Sequence, residues 1–143
     1  PPAPAETAAE RILAAIWHLE SDRADEAESA AAAALARDPA DPAVHALAGV
    51  LHELAGRTEA AADAFRAALY LDPELPQIRL RLALTLRRSG REEAALRNLR
   101  EVVTTLERGA GRTLPALDGR LLPTRAEALS QALAALQLPS SGG

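Results

Sequence analysis

Three histidines are the first side chains in this sequence that could do chemistry, because clustered imidazoles bind transition metals. His18 and His52 are 34 residues apart, and His45 lies between them. The chain has no cysteine, and no carboxylate completes a plausible set of metal ligands with these side chains. We therefore assign the histidines to packing and predict no metal site.

Other signatures of catalysis are missing from the sequence. No glycine-rich loop is suited to a phosphate group, and no serine lies in a nucleophile motif. We predict that the chain has no catalytic residue, binds no cofactor and is not an enzyme. No apolar run approaches the roughly 20 residues that cross a bilayer, so we also predict no membrane contact.

Arginine accounts for all sixteen basic residues, and the charge is unevenly distributed. Residues 1–74 have five arginines against fourteen acids, whereas residues 75–112 have nine against four. The sequence predicts a basic patch that consists of Arg79, Arg81, Arg88 and Arg91. The patch could face an acidic protein surface or only solvent. We predict no nucleic-acid partner, because the chain is acidic overall and has few aromatic residues on which bases could stack.

The elements that position these side chains recur every 34 residues. The recurrence relates Pro39 to Pro73 and Gly56 to Gly90, and alanines stand at one further position of the same register, namely Ala27, Ala61 and Ala95. Prolines mark the helix boundaries, and the glycines mark tight turns. The pattern predicts seven helices, at about 8–20, 24–36, 42–54, 58–71, 76–88, 92–107 and 124–137.

The spacing and these small residues resemble the tetratricopeptide repeat family from about Ala8 to Glu107. The resemblance implies an all-α, right-handed superhelix of three helix–turn–helix repeats plus a C-terminal helix. The repeats would occupy residues 8–41, 42–75 and 76–109. We expect a Pro/Ala-rich linker at 1–7, a loop at 108–123 and a flexible tail at 138–143. Because the chain begins with that linker, we expect it to be part of a longer protein.

In this family the first helix of each repeat lines a concave groove that binds protein. The family register predicts a groove lined by Ile12, Ile16, Leu19, Ala46, Val50, Glu53, Leu80, Leu84 and Arg87. Family members that bind a C-terminal carboxylate have Lys and Asn at such positions, so we exclude that ligand here. The apolar lining suits one face of an amphipathic helix.

The C-terminal helix has a predicted capping box, formed by Thr124 and Glu127. Its apolar stripe is predicted to consist of Ala126, Leu129, Leu133 and Leu136. The helix could cap the third repeat, or occupy the groove of its own chain or of a second copy in a homodimer. It could also be disordered.

The segment from Ala68 to Leu75 is similar to the repeats that follow the catalytic domain of CheR-type bacterial chemoreceptor methyltransferases. Residues Asp118 to Leu122 resemble the loop that ends such arrays. The resemblance implies a cytoplasmic, noncatalytic regulatory module of an S-adenosylmethionine-dependent enzyme. Its partner would be the receptor, the enzyme's catalytic domain or a signalling protein. The alternatives are a general assembly scaffold, for example in secretion or pilus biogenesis, and a homodimer built by exchange of the C-terminal helix.

Overall fold

The computed structural model describes residues 7–138, and this part of the chain is an all-α helical repeat. The helices are α1 (Ala8–Glu20), α2 (Ala24–Arg37), α3 (Pro42–Leu54), α4 (Thr58–Leu71), α5 (Pro76–Arg88), α6 (Glu92–Glu107) and α7 (Arg125–Leu136). Helices α1 to α6 form three successive hairpins, and each hairpin packs against the next. None of the seven helices in this part of the chain is both long and apolar enough to span a bilayer. The predicted linker and tail lie outside the described residues, except for Thr7 and Leu138.

The predicted helix boundaries are confirmed, and local chemistry explains them. Helices α3 and α5 begin at prolines, whose fixed φ suits the first turn and whose missing N–H would have had no helical partner. Each hairpin turn contains one residue in the left-handed region: Asp22, Gly56 and Gly90, at φ 60°, 77° and 80°. Glycine adopts this conformation without a steric penalty, so the turn in the first hairpin is the more strained of the three.

The centre of the core lies between α3 and α4, where the side chain of Phe65 is fully buried. The Phe65 ring lies directly against the backbone of Gly49, and a Cβ added to Gly49 would overlap the ring. The glycine therefore makes room for the largest buried side chain of the core.

Helix α5 has buried apolar side chains in two separate clusters. Ile78 and Leu82 belong to the main core, which extends through all three hairpins. Leu80 belongs to a second buried cluster, which α5 shares with α6 and α7. Helix α5 therefore packs against the main core through one set of residues and against α6 and α7 through another.

Helix α7 packs against α6 and α5, where it caps the third hairpin. Its predicted apolar stripe is partly wrong, because Ala126 and Leu133 are exposed. The residues of α7 that are buried are instead Ala128, Ala132 and Ala135. Their small side chains allow the backbone of α7 to come close to α6, and larger side chains on that face would hold the two helices apart.

We predict that Phe65→Ala lowers the free energy of unfolding by about 3–5 kcal/mol, because it removes a buried aromatic side chain and leaves a cavity. Chemical denaturation measures this change. The control is Tyr70→Ala on the same helix, where the side chain is 89% exposed, and its effect should stay within about 0.5 kcal/mol. Equal effects of the two substitutions would contradict the packing described above.

Candidate functional site

The predicted groove residues lie on α1, α3 and α5, and most of them are covered. The buried members of the set are Ile12, Ile16, Ala46, Val50 and Leu80. The remaining four, Leu19, Glu53, Leu84 and Arg87, are half-buried. We call the surface that these nine residues form the concave face. Two other parts of the chain help to cover it.

The first covering element is the segment from residue 111 to residue 122, which we call the inner segment. Its side chains Leu117 and Leu122 are buried in the same cluster as Ile12 and Val50. Leu114 lies beside Ile12, at a shallow cavity of about 270 Å³ that α1 and α3 also line. The predicted loop therefore forms part of the core.

The inner segment is attached to the helices near both of its ends. The Arg112 N–H donates a hydrogen bond of 2.6 Å to the Glu74 carbonyl oxygen, at the approach to α5. Near the other end, the guanidinium of Arg120 lies 3.8 Å from the Glu20 carboxylate at the end of α1. The guanidinium of Arg125 donates to the carbonyl oxygen of Ala110, just before the segment begins. The start of the segment and the start of α7 are therefore adjacent.

A set of internal hydrogen bonds gives the inner segment its shape. The Asp118 carboxylate accepts a hydrogen bond of 2.7 Å from the Leu114 N–H. The Gly119 N–H donates to the Leu122 carbonyl oxygen at 2.7 Å, and the Leu122 N–H donates to the Leu117 carbonyl oxygen at 3.0 Å. The segment is a compact loop with two buried leucines, and it is not helical.

The second covering element is α7, which covers the α5 part of the concave face. Leu80 is buried in the cluster that α7 completes, and Leu84 packs against the same cluster. The guanidinium of Arg87 donates to the Ala135 carbonyl oxygen at 2.9 Å and also binds Glu92. The C-terminal ends of α5 and α7 are therefore side by side.

Arginines of the predicted basic patch already bind groups within the chain. Arg81 and Arg88 both bind the carboxylate of Glu53, whose side chain is only 5% exposed. Arg79 donates to Asn98 at 2.9 Å. The fourth member, Arg91, lies 3.2 Å from the Glu59 carboxylate. Much of the patch's charge is thus neutralised by carboxylates of α3 and α4.

A separate small cavity of about 230 Å³ lies between α2 and α3. Ala31 and Ala48 line it, and the residues 34 positions later are Phe65 and Leu82. The second junction between hairpins therefore has large side chains at the positions that line this cavity in the first junction. Glu28 and Arg57 form an ion pair at its lining.

The histidines take separate roles in the structure. His45 Nε2 lies 2.6 Å from the Pro39 carbonyl oxygen, and His52 Nδ1 accepts a hydrogen bond of 2.9 Å from Arg57. Burial lowers the pKa of His52, and the neighbouring Arg57 guanidinium lowers it further. Within residues 7–138, no three potential ligands among His, Cys, Asp and Glu are grouped so that they could hold a metal ion.

The sequence does not mark the inner segment as part of the site. Its two buried leucines, together with Arg112 and Arg120, belong to a stretch that glycine and proline mark as a spacer. The only available signal was that this stretch contains five leucine or alanine side chains in its central part, which are Leu114, Ala116, Leu117, Leu121 and Leu122.

Burial raises the pKa of the Asp118 carboxyl group, against the lowering effects of its hydrogen bond from Leu114 and of the Arg125 charge. A carboxyl whose pKa is raised in the folded state stabilises that state only while it is protonated. The stabilisation is complete below the ordinary value of 3.8 and is lost as the pH rises through the folded-state pKa.

We therefore predict that Asp118→Asn is more stable than the natural chain at pH 7, and that this advantage disappears as the pH falls below about 4. Thermal unfolding of both proteins across this pH range measures the difference, and other titrating groups cancel in it. An advantage that does not change with pH would contradict this assignment of the raised pKa.

Residues 42–75 match a family profile described as Tetratricopeptide repeat, and no curated protein matches the chain. The type III secretion translocator chaperone SycD of Yersinia enterocolitica is similar in structure, with a TM-score of 0.70 and 15% identity over 90% of this chain and 79% of that one. A second SycD structure, described as an alternative dimer, has a TM-score of 0.67 and 15% identity over 94% of this chain and 98% of that one. The crystal structure of MamA has a TM-score of 0.63 and 14% identity over 90% of this chain and 77% of that one. At these identities the likeness concerns the fold alone.

Proposed function

Because residues 42–75 are a tetratricopeptide repeat within an all-α repeat fold, we propose that this chain is a noncatalytic protein-binding module whose concave face takes an apolar segment of a partner. The observation that carries the proposal is the inner segment. The concave face already buries two leucines, Leu117 and Leu122, from a stretch of chain that is not helical. Its shape and chemistry therefore suit an apolar stretch of protein.

The nature of the partner segment follows from the same contacts. An amphipathic helix, which the sequence favours, would present its apolar side chains along a straight stripe. The inner segment instead presents its leucines from a compact turn. An acidic partner surface has less support than an apolar one, because Arg81, Arg88 and Arg91 already pair with carboxylates of the chain.

The test uses Leu54, which follows Val50 by one helical turn on α3 and is 64% exposed. Peptides selected by phage display against the full chain should bind the concave face. We predict that Leu54→Asp weakens their binding at least tenfold and leaves the fold intact, because the charge would stand at the edge of an apolar site. Tyr70→Asp on α4 is the matched control and should change nothing. If Leu54→Asp leaves peptide binding unchanged and Tyr70→Asp weakens it, the binding surface lies on the side of α4 and not on the concave face.

A finer proposal concerns the protein to which this module belongs. The similarity of residues 68–75 and 118–122 to the arrays of CheR-type methyltransferases supports a regulatory role in bacterial, cytoplasmic receptor methylation. The sequence encoded upstream of Pro1 tests this proposal. We expect a catalytic domain there with a glycine-rich loop that binds S-adenosylmethionine, and an unrelated upstream domain would contradict it.

The alternative is a free assembly scaffold or chaperone, and the structural likeness to the translocator chaperone SycD favours it. One of the SycD structures is described as an alternative dimer, so dimerisation of the present chain through the region of α7 belongs to this alternative. Sedimentation at several concentrations tests dimerisation, because the average mass of a reversible dimer falls with dilution whereas that of a monomer stays constant.

A further inference from the structure

We propose that the inner segment, residues 111–122, is an internal occupant of the concave face that a partner segment must displace. The inference rests on the proposed function, since it concerns how the same site is controlled. It also specifies the partner chemistry: a compact, non-helical turn with two leucine-type side chains five residues apart and a basic residue between them.

The first support is that the ends of the inner segment lie close together. The guanidinium of Arg125, at the start of α7, donates to the carbonyl oxygens of Ala110 and Gly111. A loop whose two ends are adjacent can leave its site without moving the helices on either side of it. Gly109 and Gly111, at φ 68° and 96°, provide backbone positions at which the chain can change direction.

The second support is that α7 does not depend on the inner segment for its packing. The buried alanines of α7, which are Ala128, Ala132 and Ala135, belong to a cluster with residues of α5 and α6. Leu117 and Leu122 belong to the main core cluster, which extends through all three hairpins, and Leu114 of the same segment lies beside Ile12 of α1 and Ala43 of α3. Release of the segment would expose the concave face of the first two hairpins and leave the cap on the third hairpin in place.

The third support is the charge on the segment and on the face that it covers. Arg120 is three residues after Leu117 and two before Leu122, and its guanidinium lies near the Glu20 carboxylate at the end of α1. The half of the chain that contains α1 and α3 has an excess of nine acidic residues. A partner segment with the same pattern of leucines and one basic residue would satisfy the same groups.

The experiment measures binding of a fluorescent peptide with the sequence of residues 112–123 to the full chain. In the natural protein the attached segment competes at an effective concentration of about a millimolar, so we expect no binding at micromolar concentrations. In the variant Leu117→Ala/Leu122→Ala the attached segment is weakened, and the peptide should bind at least tenfold more tightly. The matched control is Leu71→Ala/Leu133→Ala, two leucines that are 39% and 41% exposed, and it should behave as the natural protein does.

A second variant tests the inference if the double leucine substitution unfolds the chain. Arg125→Gln removes the guanidinium that holds the start of the segment but leaves the core leucines in place, so we expect binding that is severalfold tighter. Arg108→Gln, at a nearby exposed arginine, is its control. Hydrogen exchange should show that the bound peptide removes protection from the Leu122 N–H of the chain.

The outcomes separate this inference from the function on which it rests. Equal binding by the natural protein and by both variants, at the concave face, would overturn internal competition and leave the proposed function standing. Peptide bound away from α1 and α3 would overturn both. Absence of binding by a variant that circular dichroism shows to be folded would overturn the inference, since the emptied site should accept its own segment.

Discussion

Helices α1, α3 and α5 are apolar on two sides, and the paired helix of each hairpin can bury only one of them. The second side must be covered by something, because a row of exposed aliphatic side chains would cost free energy in water. The inner segment covers this side on the first two hairpins, and α7 covers it on the third. This requirement explains both the inner segment and the alanine face of α7.

The uneven charge of the chain has a similar internal explanation. Carboxylates in one hairpin pair with arginines in the next: Glu28 with Arg57, Glu53 with Arg81, and Glu59 with Arg91. An acidic first half and a basic third hairpin therefore face each other across the junctions. Pairs on the surface contribute little each, but the almost fully buried Glu53 carboxylate would be costly without its two arginines. The charge pattern thus favours this order of the hairpins.

The helices could be predicted from the sequence because their signals are local. Pro42 and Pro76 begin helices, and Gly56 and Gly90 form turns, whatever lies elsewhere in the fold. The inner segment could not be predicted in this way, because nothing near Leu117 in the sequence indicates that the chain turns back onto α1. The predicted buried face of α7 was also partly wrong. Leucines dominate the apolar pattern of this helix, but its close approach to α6 favours burial of alanines such as Ala132. The predicted groove residues lie on α1, α3 and α5, and their burial depends on these later elements.

The cavity between α2 and α3 has a consequence for how the array holds together. In a repeat array, each junction contributes its own interface energy, and the molecule unfolds as one unit only if all junctions are strong. The first junction has Ala31 and Ala48 where the second has Phe65 and Leu82, so fewer side-chain contacts couple the first hairpin to the rest. The inner segment touches both α1 and α3 and bridges this weak junction from the other side. Release of the segment would therefore loosen the first hairpin, so that occupation of the concave face and the cooperativity of unfolding are linked.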